Sequence, residues 1–248
     1  MSSMRFNDAG ICLAEAMIAL AAGAIVLSAS IQALGHFERR LTAQQDTVAQ
    51  HQDVRVGMTI MEAELRLAGT GAAPLGMGTD VPVLKAAPQE MQFLANLDGL
   101  MTSLTEPALT GQQDLTVRNG SNWPKGKRIV ICGAERCAEA RLARDGRRTG
   151  LSLAGPLDRA FPSGSTVFVS NSVRYYVSKD SRGRPALMRQ VDGGANSLIS
   201  DISSFQLRYL DRDGQPTWDA SRITRVRLEV AVGNGRRTFR SEVALRAA

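Results

Sequence analysis

Histidine is scarce in this chain, with two among 248 residues, His36 and His51. Both fall in a helical region, so no Ser-His-acid arrangement is available to the rest of the chain, and nucleophilic catalysis of that kind is excluded there. Cysteine is nearly as rare: Cys12 lies in an apolar run, and Cys132 and Cys137 sit close together in "RIVICGAERCAEARLA". A structural zinc would need further Cys or His ligands beside that pair, and none is near. A disulfide closing the short loop is the favoured reading, and it fits an oxidising compartment. Aromatic residues make up only 5% of the chain. The basic run from Lys125 to Arg148 therefore lacks stacking platforms for single strands. Nonspecific phosphate contact is the most it offers, and nucleic acid is disfavoured as a partner. The glycine-rich "GTGAAPLGMG" lacks the lysine and following hydroxyl of a phosphate loop and reads as a flexible connection. In "LDRDGQ", Asp211, Asp213 and Gly214 suggest a calcium loop, but Gln215, Pro216 and Thr217 follow where further oxygen ligands are needed. An Asp-Gly hairpin turn accounts for them better. No metal, cofactor or catalytic residue is expected.

Charge is present but unevenly spread. The formal total is +6, yet residues 1–117 hold 6 basic and 12 acidic side chains, whereas residues 118–248 hold 24 and 12. The basic excess lies wholly in the C-terminal half. It is either a solvated surface or a face for an acidic subunit, anionic lipid or nucleic acid.

From Ile11 to Leu34 the strongly polar groups are Glu15 and Gln32, with Ser28 and Ser30 as mild interruptions. As a helix this run spans about 36 Å, enough to cross a bilayer. A carboxylate in hydrocarbon is costly, so Glu15 is expected to have a partner. A cleaved secretory signal would be cut near Ala29 to Ala33. A lipoprotein would need its cysteine after the apolar core, whereas Cys12 precedes it, and a plain signal anchor leaves Glu15 without a purpose.

The segment "GICLAEAMIAL" resembles the class III signal of type IV pilins and pseudopilins, usually a glycine followed by "FTLIEVMIAL". Gly10 matches the residue before the scissile bond, Ile11 the new N-terminus and Glu15 the fifth mature residue. Leu13 and Met17-Ile18-Ala19-Leu20 match the apolar positions, while Ile11, Cys12 and Ala14 depart from the usual Phe, Thr and Ile. The resemblance implies that a membrane-embedded prepilin peptidase cuts between Gly10 and Ile11 and methylates the new amine. The apolar helix is then retained, and Glu15 meets the N-terminal amine of a neighbouring subunit, each charge offsetting the other's desolvation.

Downstream, the helix is expected to run from Ile11 to about Ala68. Val54, Met58, Met61, Leu65 and Ala68 recur at helical spacing, there is no proline, and Gly57 is the one internal weak point. Gly69 and Gly71 supply a stop. Beyond them, "DLTVR", "KRIVIC", "STVFVS", "VRYYVS", "ALMRQV" and "FQLRYLD" read as strands. Residues 72–113 read as a long loop with a short strand near Met91–Leu94. In "RVRLEVAV", Val226, Leu228, Val230 and Val232 share one face; "GNG" at Gly233–Gly235 turns the chain; then Phe239, Ser241, Val243 and Leu245 alternate with polar residues. That is a hairpin with one buried face.

"VRVGMTIMEAELRLAGTG", "VRYYVSKDSRGRPALMRQVDGG" and "LISDISSFQLRYLDRDGQ" resemble the helix end and C-terminal sheet of W-type (PilW-like) minor pilins. The expected fold is α+β and pilin-like, one long N-terminal helix against an antiparallel β-sheet domain. Residues 1–10 would be a leader, 11–34 a transmembrane and assembly helix, 35–71 a stalk and packed half-helix, and 72–248 a periplasmic β-rich domain. The expected function is that of a minor type IV pilin, a structural subunit for pilus assembly or priming and not an enzyme. It would reside in the inner membrane and then in the fibre or its tip. Its partners would be the prepilin peptidase, the major pilin, other minor pilins and the inner-membrane assembly platform. A J-type pseudopilin of type II secretion shares much of this layout. A signal-anchored periplasmic binding protein with a basic ligand surface is the alternative of a different class.

Overall fold

The structure is a computed structural model that describes residues 13–73, 82–233 and 237–245. Among the described residues a single helix, α1 (Leu13–Arg66), precedes fourteen strands whose pairings are all antiparallel, an α+β architecture. The chain divides into two compact units, Met1–Gln52 and Asp53–Ala248, with the boundary inside α1.

In the first unit the described side chains of the helix are exposed, apart from half-buried Gly35, Gln50 and His51. Glu15–Glu38, 24 residues, is long and apolar enough to cross a membrane, its most apolar eighteen-residue stretch having a mean hydropathy of 2.0.

The second unit begins with the last turns of α1. The stripe expected from spacing is buried in full, with Val54, Met58, Met61, Leu65 and Ala68 all facing the core. The helix ends at Arg66, two residues before the expected position. The Leu67 and Ala68 N–H groups donate to the Glu64 and Leu65 carbonyls at 3.0 Å each, tightening the last turn. Ala68 then bridges to Ala95, and Gly69 takes φ +90° to make the turn.

Strands β1 (Val83–Ala87), β2 (Glu90–Ala95), β9 (Asn171–Lys179), β10 (Pro185–Val191) and β11 (Gly194–Ser200) form a five-stranded sheet in the order β1-β2-β9-β10-β11. Strands β12 (Ile202–Leu210), β13 (Arg225–Val232) and β14 (Arg237–Ala244) form a second sheet. One core joins α1 to both sheets. The β13–β14 hairpin has the expected buried face, with Val226, Val230 and Val243 almost fully enclosed. Gly233 has φ +56°, while Asn234 and Gly235 of the expected turn lie outside the described residues. Tyr209 fastens the second sheet to the first. Its hydroxyl lies 2.8 Å from the Ala87 carbonyl oxygen and accepts the Ala87 N–H at 3.2 Å.

The short strand expected near Met91–Leu94 is β2, but the reading of the rest of 72–113 as a long loop is corrected. The region also holds β1 and β3 (Met101–Ser103), with Pro88 and Gln89 turning β1 into β2. Phe93, Leu94 and Ala95 are consecutive and all buried, so β2 has neighbours on both faces and the two-residue period that betrays a half-buried strand is absent.

Between β2 and β9 lie β3, β4 (Asp114–Thr116), β5 (Arg128–Cys132), β6 (Cys137–Arg141), β7 (Gly150–Ser152) and β8 (Thr166–Val169). They form a four-stranded sheet, β3-β8-β5-β6, and a two-stranded one, β4-β7. A separate core fills this region, built on Trp123, Ile129, Ile131, Phe161 and Val167.

Candidate functional site

Glu15 lies in the first turn of α1, where the partial positive charge of the helix N-terminus favours a carboxylate. Its side chain is exposed and, among the described residues, has no ion-pair partner. No other Asp, Glu, Lys or Arg occurs between Glu15 and Glu38. The serines of this stretch are satisfied within the helix: Ser28 and Ser30 donate to the carbonyls of Ala24 and Val26, each at 2.8 Å. Glu15 therefore stands out as an unneutralised charge at one end of an apolar cylinder. Met17, Ile18, Leu20, Ile25, Val26, Leu27, Ile31 and Leu34 are exposed around it. A helix apolar on every side suits lipid or other helices as neighbours. Gly10 and Ile11, the expected processing site, lie outside the described residues.

Cys132 and Cys137 form the expected disulfide. They are register partners at the end of the β5–β6 hairpin, with Cα atoms 4.1 Å apart. The Gly133 N–H donates to the Arg136 carbonyl at 3.0 Å inside the closed loop.

Sequence reasoning missed how the packed part of α1 is held. Gly57 touches β11: a Cβ there would stand 2.4 Å from Cγ1 of buried Ile199. Two turns later, Glu64 reaches β10 and β9. Arg189 Nε donates to both Glu64 oxygens at 2.9 and 3.0 Å, Arg189 Nη2 donates to Oε1, and the buried Tyr175 hydroxyl donates to Oε2. Beyond the helix, Ala68 meets Ala95 of β2. Residues 57 to 68 thus meet β11, β10, β9 and β2 in sheet order. Eleven residues rise about 16 Å in a helix and three strand spacings cover about 14 Å, so the helix crosses the strands steeply. Burial, then the nearby Glu64 carboxylate, push the Tyr175 hydroxyl far above its ordinary range, and the hydrogen bond to Glu64 raises the Arg189 pKa. The network locks the helix and is built from one acid, one base and one neutral donor. Its signal in the sequence was a lone acid on the core-facing side of a helix, but its partners are 111 and 125 residues away.

The Asp-Gly turn also takes its expected place. The Asp211 Oδ1 accepts the N–H groups of Asp213 and Gln215 at 3.1 and 2.9 Å, Oδ2 accepts from Arg222 at 3.1 Å, and Gly214 adopts φ +79°. The carboxylate is thereby committed to its own loop. The turn lies within a longer β12–β13 connection, closing a bridge between Leu210 and Pro216. Among the described residues no group of three or more His, Cys, Asp or Glu side chains is placed to hold a metal.

Compared with known proteins, the chain matches no family model and no curated protein.

Proposed function

We propose that the chain is a minor type IV pilin, a membrane-anchored structural subunit. In this reading a prepilin peptidase cuts between Gly10 and Ile11, the apolar helix stays in the inner membrane, and the β domain stands in the periplasm, where the Cys132–Cys137 bridge persists. Assembly then draws the helix out of lipid and into a bundle of major and minor pilin helices at the inner-membrane platform. The observation that carries the reading is one continuous helix with two characters. Its first stretch is apolar on every side, exposed and headed by a single carboxylate; its last stretch is packed on an antiparallel sheet. A subunit that exchanges lipid for protein neighbours needs such a surface. Glu15 sets the register by pairing with a neighbour's N-terminal amine, because either charge alone is costly in hydrocarbon.

The test is the N-terminal peptide mass of the protein recovered from its native membranes. The expected chain begins at Ile11 and carries one extra methyl group. Glu15→Ala is expected to be processed normally and to fail in assembly. A chain beginning at Met1, or cut near Ala29 to Ala33, refutes the reading, as does normal assembly of Glu15→Ala.

A further inference from the structure

The partners β2 and β9 are separated by a long excursion of the chain. Their pairing ends at Ala95 and Asn171, residues directly opposite one another in the register. The chain thus leaves the main sheet and returns to it at adjacent points, a gap that a two-residue turn closes in an ordinary hairpin. Leu97 still packs against the host core, but the rest, residues 98–170, folds around a core that shares no residue with it. The joint includes an apolar contact, Ala73 packed against Val130, Cys137 and Phe168. The Leu97 N–H donates to Asn171 Oδ1 at 3.0 Å and Lys127 reaches Asp192 across it at 3.3 Å. Asn96 Oδ1 and Ser170 Oγ, where the chain leaves and returns, are buried without a hydrogen-bond partner.

This inserted region carries a rim of basic residues on two loops held in contact. The Gly120 N–H donates to the Arg148 carbonyl at 3.0 Å, and the Gly146 N–H to the Trp123 carbonyl at 2.8 Å. Neither glycine has room for a side chain. A Cβ on Gly120 would lie 2.5 Å from the Arg147 carbonyl oxygen, and one on Gly146 2.1 Å from the Gly120 carbonyl oxygen. The loops are therefore fixed over buried Trp123 before any partner arrives, which lowers the ordering cost of binding. Arg118, Lys125, Arg147 and Arg148 are exposed on them and make no salt bridge among the described residues, although Arg147 lies near enough to Asp114 to help lower that carboxyl's pKa. Arg144 is committed to Asp114 at 3.1 Å, and Asp145 accepts the Lys125 N–H at 2.7 Å.

We propose that residues 97–170 form an inserted recognition module, folding as its own cooperative unit, whose rim of Arg118, Lys125, Arg147 and Arg148 docks an acidic polypeptide surface. Four exposed cations without a salt bridge call for an anionic partner. Asp114 and Asp145 interleave with them, which suits a partner of mixed charge better than an unbroken row of phosphates. Trp123, the one aromatic between Phe93 and Phe161, is buried and offers no base a stacking face.

Two measurements on the intact chain in detergent test this. Native-state hydrogen exchange should show the core amides of β5 and β8 opening with a free energy and denaturant dependence distinct from those of β9, β10 and β13. A single shared opening for both sets would overturn the separate module. For the rim, a fluorescent oligoglutamate peptide is titrated at low salt, with duplex DNA of equal charge as the second probe. The peptide should bind, and Arg147→Glu with Arg148→Glu should weaken it about ten-fold or more at unchanged melting temperature. Absence of peptide binding, insensitivity to the double reversal, or tighter binding of DNA than of peptide would each overturn the assignment.

Discussion

Removing the Glu64 carboxylate is the sharpest test of how the helix is held. Glu64→Leu leaves the Arg189 guanidinium and the Tyr175 hydroxyl facing an apolar side chain, with water poorly placed to replace what was lost. Breaking a fully buried pair from one side costs about 3–5 kcal/mol. Here the Glu64 side chain keeps 11% of its exposure and Arg189 keeps 28%, so Arg189 can turn partly to solvent. That lowers the expected loss to about 2–3 kcal/mol. At roughly 2–4 °C per kcal/mol for a domain of this size, melting should fall by about 4–12 °C. Arg189→Met alone should do similar harm, because it strands the carboxylate. The double variant should be less damaging than the two losses added, since an apolar pair leaves no buried charge unpaired. Tyr175→Phe removes one donor and should cost about 1 kcal/mol. The assay is thermal and denaturant unfolding of the intact protein in detergent, followed by the far-ultraviolet signal of the β domain. Single variants that lose less than about 0.5 kcal/mol, or strictly additive losses, would refute the network as a lock.

Gly57→Ala should destabilise by up to about 2 kcal/mol, the crowding of Ile199 outweighing about 1 kcal/mol of helix propensity. Gly35→Ala, where a Cβ meets nothing within 4 Å, should show only the propensity gain, and urea midpoints of the two variants compare them. Stability should be level from about neutral pH to about pH 10 and fall above it. Burial raises the pKa of Tyr175 and Tyr209 above their ordinary value of 10.0, so the unfolded chain loses those protons first. Each tyrosine adds about 1.4 kcal/mol per pH unit once it titrates in the unfolded state, and Tyr175→Phe should remove its share of that slope. Cys132→Ser with Cys137→Ser should cost about 2 kcal/mol from the entropy of so short a loop, measured against wild type under oxidising conditions. Loss of that difference in reductant would identify the bridge as its source.

How much of this was open to a reader of the sequence varies from element to element. The stripe Val54, Met58, Met61, Leu65 and Ala68 was legible because burial on one face of a helix imposes a local period. The alternation of Val226, Leu228, Val230 and Val232 was legible for the same reason, since β13 has one wet face. Cys132 and Cys137 were legible because only five positions separate them. Strand β2 was legible only as a short apolar run near Met91–Leu94, because cover on both sides erases the two-residue period, and β1 and β3 beside it were read as loop. Glu15 was conspicuous by composition, as the one carboxylate at the head of a membrane-length run. Glu64 looked like any acid on a helix, because what makes it different is an arginine 125 residues away. Gly57 read as a weak point in α1, and only the approach of Ile199 shows that the missing side chain is required. The insertion of 97–170 was likewise invisible, because its sign is the pairing of Ala95 with Asn171 and pairing leaves no trace in either strand alone. Local periodicity and short spacings were thus settled by the order of residues along the chain. Which distant residues met, and which glycine had to stay bare, was decided only when the sheet brought them within a few ångströms.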